Sequence, residues 1–408
     1  MRFGRTFSNI VAGLIFSIIV CCQPKITFSQ LNSDSSYHIL DVINRFEEFI
    51  HATLEEWDIP GAAFAIVKDD KIVYINGFGV REVGQPEKID IHTVFRLASV
   101  SKGFAPIITG LLVRDGVLTW DDPVTKYLPE FALKNPKETG RLTIKHLLSH
   151  TSGLPAHTYT NLLDANAPLD NILGKLKEVG MIAPVGNIYS YQNIVYGLIA
   201  DIVRSATGKD YSHLVTERIF HPLGMFDASL GREVFTTFHN RAKPHIRKGL
   251  GWTTTEVKQG YYNVPPAAGA NASILDMARW LRAMMGGTPE IIAPDVINQV
   301  ITPIIKTPQE KRKFRWRDHL KEAHYGLGWR IYDYGGATIV YHGGWVEGFR
   351  AEVGFIPDQK IGIAVLLNCE TLAAALFLPT FFDMYLNFMV PDSIQTSSMN
   401  SSIWIDEK

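Results

Sequence analysis

Hydrophobic residues recur in this chain with two different periods, and the places where the period changes constrain the fold most. Near the start, Ile39, Ile43, Phe46, Ile50, Leu54 and Trp57 step by three or four, the spacing of one helical face. Residues 62–79 are rich in Val and Ile and broken by Asp69-Asp70, the pattern of a β-hairpin. The middle of the chain changes character. Helical stretches follow Ser99, Thr143, Asn193 and Ser273, with Gly, Pro and Asn in the loops between. Ser273 with Asp276 three residues on resembles a capping box. Long loops over 155–169 and 231–266 are of the kind that border a site. After Tyr325 the strands return: 329–332 and 338–341 flank Gly335-Gly336, and 349–356 and 361–367 flank Pro357-Asp358. The economical fold is α/β of the α+β kind. One antiparallel sheet is built from both chain ends and flanked by helices, with an all-α region inserted beside it.

Charge narrows the function. The 408 residues hold 40 Lys and Arg against 41 Asp and Glu. A nucleic-acid binder usually carries a basic excess, so no nucleic-acid partner is expected. With 46% hydrophobic and 20% charged residues, the composition also excludes a disordered or collagen-like chain.

Arg2 and Arg5 precede an apolar run over residues 10–22, too short for a membrane span of about 20 residues. With Thr27 and Ser29 ahead of Gln30, residues 1–29 read as a signal peptide, which places the protein in the periplasm or outside the cell. An uncleaved leader serving as an anchor is the alternative. Val20 before Cys21 speaks against a lipoprotein site. Beyond the leader the sole cysteine is Cys369, so no internal disulfide is expected. The predicted catalytic domain spans 38–390, and the Ser-rich residues 391–408 form a polar tail.

The chain contains one Ser-x-x-Lys, Ser99 to Lys102, at the point where strand gives way to helix. Phe104, Ile107, Ile108, Leu111 and Leu112 mark the apolar face of that helix, which puts Ser99 at its N-terminus and Lys102 one turn away. A serine hydroxyl needs a base to become a nucleophile, and a lysine with a lowered pKa can serve. The bland reading is a Ser cap and a solvated Lys. Two further groups weigh against it. Tyr191 and Asn193, two apart in a loop, offer a phenol for proton relay and an amide for a carbonyl. His342-Gly343-Gly344-Trp345 closes a strand, with glycines that admit a substrate and an imidazole that donates or titrates. Other patterns carry less. His146 and His150 lack the Glu of a zinc HExxH helix and read as packing or capping residues. No G-x-S-x-G elbow is present. His157 faces either the cleft or solvent.

Together these motifs resemble the serine β-lactamase and penicillin-binding-protein superfamily, most closely its class C and D-alanyl-peptidase-like branch. The resemblance runs over residues 42–368. It includes LTIKHLLSHTSGLP from Leu142, PLGM from Pro222, YGLGW from Tyr325 and GFRAEVGFIPDQKIGIAVLLN from Gly348. It implies an α/β sandwich beside an all-α region, with no metal or cofactor. It further implies that Ser99 is acylated, that Lys102 and Tyr191 share the proton transfers, and that Asn193 holds Lys102 or the substrate amide. The backbone N–H groups of Ser99 and Trp345 would form the oxyanion hole. The family's third motif commonly begins Lys-Thr or Lys-Ser, where this chain has His342-Gly343, so the hydroxyl is missing and a cation is present only if His342 is protonated. The implied substrate is an amide, a β-lactam or D-amino-acid peptide. A cell-wall peptide is then a natural partner, an ester on the same site is the alternative, and an inactive wall- or peptide-binding module is the second.

Overall fold

The computed structural model describes residues 33–313 and 316–388. The expected leader, 1–29, and the polar tail, 391–408, lie outside them. The chain divides into two units, Met1–Asp41 and Val42–Lys408. Of the first, only the opening turns of the helix Ser33–Glu56 are described.

The second unit is organised by an eight-stranded antiparallel sheet. Its order across the sheet is Lys71–Gly79, Gly61–Lys68, Ile361–Leu367, Phe349–Ile356, Ala337–Val346, Arg330–Tyr334, Leu320–Tyr325 and Ile305–Lys306. The expected hairpins are present. Asp69 and Asp70 both have positive φ, 49° and 63°, the geometry of a tight turn between twisted strands. Strands from the two chain ends meet in the middle, where Ala62 pairs with Leu367 and Lys68 with Ile361.

Side-chain alternation divides each central strand between two layers. Ala63, Ala65, Val67, Ala364 and Leu366 join a core shared with Met277 and Leu281 of the helix Ile274–Met284. Phe64 points the other way, its ring 4.9 Å from Phe377 and 6.4 Å from Phe46. Phe377 belongs to the helix Ala374–Tyr385. Burying such a ring contributes about 2–3 kcal/mol. With helices on both faces, these strands read as nearly unbroken apolar runs. The helical middle of the chain, residues 98–300, supplies one layer and carries the helix that follows Ser99. The Ser273 capping box forms as expected, with Asp276 N–H donating to Ser273 Oγ and Ser273 N–H to the Asp276 carboxylate. Among the described residues no helix is long and apolar enough to cross a membrane.

Candidate active site

Ser99 sits in a 3-10 turn, Ala98–Gly103, which leads into the α-helix Phe104–Arg114. Ser99 thus lies at the start of the helical segment, as expected, and the first turns of that segment are 3-10. Ala98 is held at φ 49°, an unfavourable value for a residue with a Cβ, so the chain enters the turn sharply. The tighter turn eclipses residues i and i+3, placing the Lys102 side chain beside Ser99. Lys102 Nζ lies 3.3 Å from Ser99 Oγ. Nζ also lies 2.7 Å from Asn193 Oδ1 and 2.9 Å from the Ala267 carbonyl oxygen. The Tyr191 hydroxyl donates to Ser99 Oγ at 2.9 Å. The four residues singled out as the core of the site are therefore linked in one network, Asn193 through Lys102 and Tyr191 through Ser99. Asn193 begins the helix Ile194–Gly197 but makes no side-chain cap, because its amide is turned to Lys102.

The loop carrying Tyr191 is tied to the segment 150–155. Ser190 N–H donates to the His150 carbonyl and Gln192 N–H to His150 Nδ1, while Ser190 Oγ donates to the Leu154 carbonyl. The His150 ring is buried and tilted against Tyr191, with ring centroids 4.3 Å apart. Burial, followed by the charges of Lys102 and Arg330, pushes its pKa well below the ordinary histidine value. His146 closes a capping box with Thr143. Both histidines thus take the packing and capping roles expected of them. His157 is half-buried with its ring 5.4 Å from Tyr191, so it borders the site.

Exposure separates the site into two layers. Ser99, Tyr191, Gly343 and Trp345 are half-buried, whereas Lys102, Asn193, His342 and Gly344 are buried behind them. The strand Ala337–Val346 approaches the Ser99 turn closely. A Cβ on Gly344 would stand 2.3 Å from the Leu97 carbonyl oxygen and 3.1 Å from Ser99 N, so only glycine fits. Gly328, at φ 74°, does the same for the loop beneath the turn, where a Cβ would meet the Lys102 carbonyl oxygen at 2.5 Å.

For His342 the sequence left open whether the imidazole is charged or neutral. Its ring is fully buried. Burial, and after it the nearby Arg330 and Lys102, hold its pKa well below the ordinary value, so it is neutral and provides no cation. The Tyr325 hydroxyl, 3.1 Å from Nε2, donates to it, and Nδ1–H donates to the Gly343 carbonyl at 2.8 Å. At Gly343 a Cβ would meet the Tyr341 hydroxyl at 2.6 Å, so that hydroxyl fills the space a Thr would need.

Arg330 was not foreseen. It projects from the strand Arg330–Tyr334, with Nε 3.3 Å from Glu310 Oε2 and its guanidinium 5.8 Å from the Tyr191 ring. Burial first, and the Arg330 charge second, push the Lys102 pKa well below the usual lysine range. An Arg followed by Ile-Tyr inside a strand is the one signal the sequence offered. Among the described residues no group of His, Cys, Asp and Glu is arranged to hold a metal ion.

The comparisons agree with this architecture. A family model described as Beta-lactamase matches residues 46–378. The unguisins hydrolase ungD' of Aspergillus campestris is 27% identical over 346 residues, 80% of this chain and 61% of that protein. Protein flp of Staphylococcus aureus strain NCTC 8325 is 25% identical over 338 residues, 81% of this chain and 64% of its own length. The chain thus spans about three fifths of these relatives. A solved structure described as the octameric penicillin-binding protein homologue from Pyrococcus abyssi superposes with a TM-score of 0.75 at 26% identity, covering 85% of this chain and 78% of that one. With the mixed α/β sheet, the Ser99 turn and a family match over most of its length, this chain belongs to the beta-lactamase family.

Proposed function

We propose that this protein is a serine hydrolase that works through an acyl-enzyme on Ser99. The observation that carries the reading is the contact of Ser99 Oγ with both Lys102 Nζ and the Tyr191 hydroxyl. Held neutral by burial, the Lys102 amine has two N–H bonds and one lone pair. The N–H bonds are taken by Asn193 Oδ1 and the Ala267 carbonyl, which leaves the lone pair for the Ser99 proton. Ser99 Oγ then attacks the substrate carbonyl while its hydrogen passes to Lys102. Tyr191 carries a proton on to the leaving group. The negative oxygen of the tetrahedral intermediate is received by the N–H groups of Ser99 and Trp345, each donor contributing about 3 kcal/mol. Water, activated by the same groups in reverse, releases the acyl product. The Aspergillus relatives named as unguisins hydrolases support a hydrolytic reaction, and the likeness to a penicillin-binding protein homologue supports an amide substrate, a β-lactam or D-amino-acid peptide. A cell-wall peptide reached after export is one candidate of this class.

A specific observation favours an ester as the second reading. His342 is buried and neutral, and Gly343 has no hydroxyl, so this end of the strand has no cation for a carboxylate-bearing β-lactam. The test is intact-mass analysis after exposure to a penicillin, a cephalosporin, a p-nitrophenyl ester and a fluorophosphonate. An adduct that maps to Ser99 and disappears in Ser99→Ala is expected. An adduct that persists in Ser99→Ala overturns the assignment, and the reagent that acylates fastest separates amide from ester.

A further inference from the structure

His150 occupies a conformation that costs energy. Its φ is 57°, in the left-handed region that residues with a Cβ rarely adopt. Such outliers persist where the surrounding structure holds them, and they gather at functional sites. The chain around His150 is wrapped on Tyr191. Ser190 N–H donates to the His150 carbonyl oxygen at 2.8 Å, and Gln192 N–H donates to His150 Nδ1 at 3.1 Å. Both neighbours of Tyr191 are thus held by one residue. The Tyr191 carbonyl oxygen accepts from His157 N–H at 2.8 Å, and His157 is left-handed too, at φ 56°.

The His150 ring completes the hold. Besides Tyr191 it packs beside Tyr196 and Tyr325, with ring centroids 5.1 and 5.0 Å away. Those two phenols reach the other arms of the site. The Tyr196 hydroxyl donates to the Lys102 carbonyl oxygen at 2.8 Å, and the Tyr325 hydroxyl donates to His342. The bond from Gln192 fixes the tautomer. An imidazole nitrogen that accepts has no hydrogen, so the neutral ring has its proton on Nε2. Burial, and then the charges of Lys102, Arg330 and His157, disfavour a second proton. Gln192 is fully buried, so its N–H has no water to turn to if Nδ1 is lost. A residue needed only for its bulk would have no use for that lone pair.

We infer that His150 is a positioning residue for Tyr191, holding the phenol against Ser99 by accepting the Gln192 N–H on an unprotonated Nδ1. The inference rests on the acyl-transfer reading above and adds to it a residue that acts without touching substrate. The leverage is geometric. The Tyr191 hydroxyl meets Ser99 Oγ at 2.9 Å. A misplacement of about 1 Å can cost about 10²-fold in rate. Because His150 acts through Tyr191, the cost of losing it is bounded by the cost of losing that hydroxyl.

The experiment compares two amides at this position. Asn sets an acceptor where Nδ1 stands and tolerates the left-handed conformation, whereas Gln sets its amide one atom farther out, near the place of Nε2. On one p-nitrophenyl ester, His150→Gln is expected to lower kcat about tenfold or more while KM moves less than about threefold. The kcat of His150→Asn is expected to exceed that of His150→Gln by about fivefold or more. In a Tyr191→Phe background His150→Gln should cost less than about threefold, since the group it positions is already gone. Equal kcat in the two amide variants, or an undiminished cost in the Tyr191→Phe background, overturns the role. Nuclear magnetic resonance of the wild type with isotope-labelled histidine gives an arm that needs no folded variant. The His150 ring is expected to be neutral at pH 7 with its hydrogen on Nε2, and a hydrogen on Nδ1 overturns the inference. Should the wild type hydrolyse no ester and Ser99 take no fluorophosphonate, the acyl-transfer reading fails by itself. The hold on Tyr191 is then decided by the tautomer alone.

Discussion

Two regions, one behind Ser99 and one beyond Trp345, handle charge in opposite ways. Behind the serine, Lys102, His150 and His342 are buried and all three pKa values are driven well below their ordinary values. Each is answered by neutral partners: an amide, a carbonyl, a peptide N–H or a phenol. Beyond Trp345 a cleft is lined by Asp164, Arg247, Lys258, Glu347 and Glu370, and its Lys258–Glu347 pair is charged and open to solvent. On the proposed acyl-transfer reading, the difference is a division of labour. Proton transfer calls for basic groups kept uncharged near neutral pH, and burial achieves that. Recognition calls for groups that keep their charge, and an open cleft permits it.

Removing the base breaks the comparison most severely. Lys102→Ala is expected to lower kcat by about 10³-fold, within the range typical of lost proton transfer. Lys102→Arg should not rescue it, since arginine stays protonated. Steady-state kinetics on one ester decide the matter, and near-normal turnover in Lys102→Arg would exclude a neutral base at this position. Tyr191→Phe is expected to cost about 10²-fold, and the double variant should lose less than the product of the two, because members of one relay act as a unit. Fully multiplicative losses would separate the two roles.

Arg330 sharpens the comparison, because it is the charge that the uncharged region feels. Replacing it together with its partner, Arg330→Gln with Glu310→Gln, removes a cation that disfavours protonated Lys102. The Lys102 pKa should rise and the acid limb of kcat/KM should move to higher pH. A limb that stays in place would leave burial as the whole cause.

The smallest expected effect is on stability. His150 and His342 have folded pKa values well below about 6.5, their ordinary value. Below about pH 6.5 the unfolded chain binds protons that the folded chain refuses, so stability falls as pH drops through that value. The thermal midpoint should decline from pH 8 to pH 5.5. The decline should be shallower in His342→Gln, and an equal slope in that variant would place the titration elsewhere.

Much of this was legible from the sequence, for identifiable reasons. Asp69-Asp70 and Pro357-Asp358 announced their turns because turn chemistry is local. Ser99 with Lys102, and Tyr191 with Asn193, were legible because each pair is close in sequence. The state of His342 stayed open because its surroundings include Tyr325 and Arg330, from other strands of the sheet. Arg330 was missed for the same reason: its charge acquires its meaning from neighbours far from it along the chain, Glu310 and Tyr191. The helix start at Ser99 was legible from the apolar face beginning at Phe104, whereas its 3-10 geometry has no signature in residues 98–103.

The pairing of Ala62 with Leu367 has a consequence for how the molecule comes into being. As the chain leaves the ribosome, the first hairpin emerges long before its central partner exists. Its inner edge therefore waits, unpaired, through the synthesis of the entire helical middle. Contacts so distant along the chain are slow to form and leave aggregation-prone edges exposed. Ser99 waits too, since Gly344, which must slide against its turn, is made near the end. On the proposed reading, the nucleophile is completed only when almost everything else has been assembled, and a nascent or truncated chain is expected to be chemically silent.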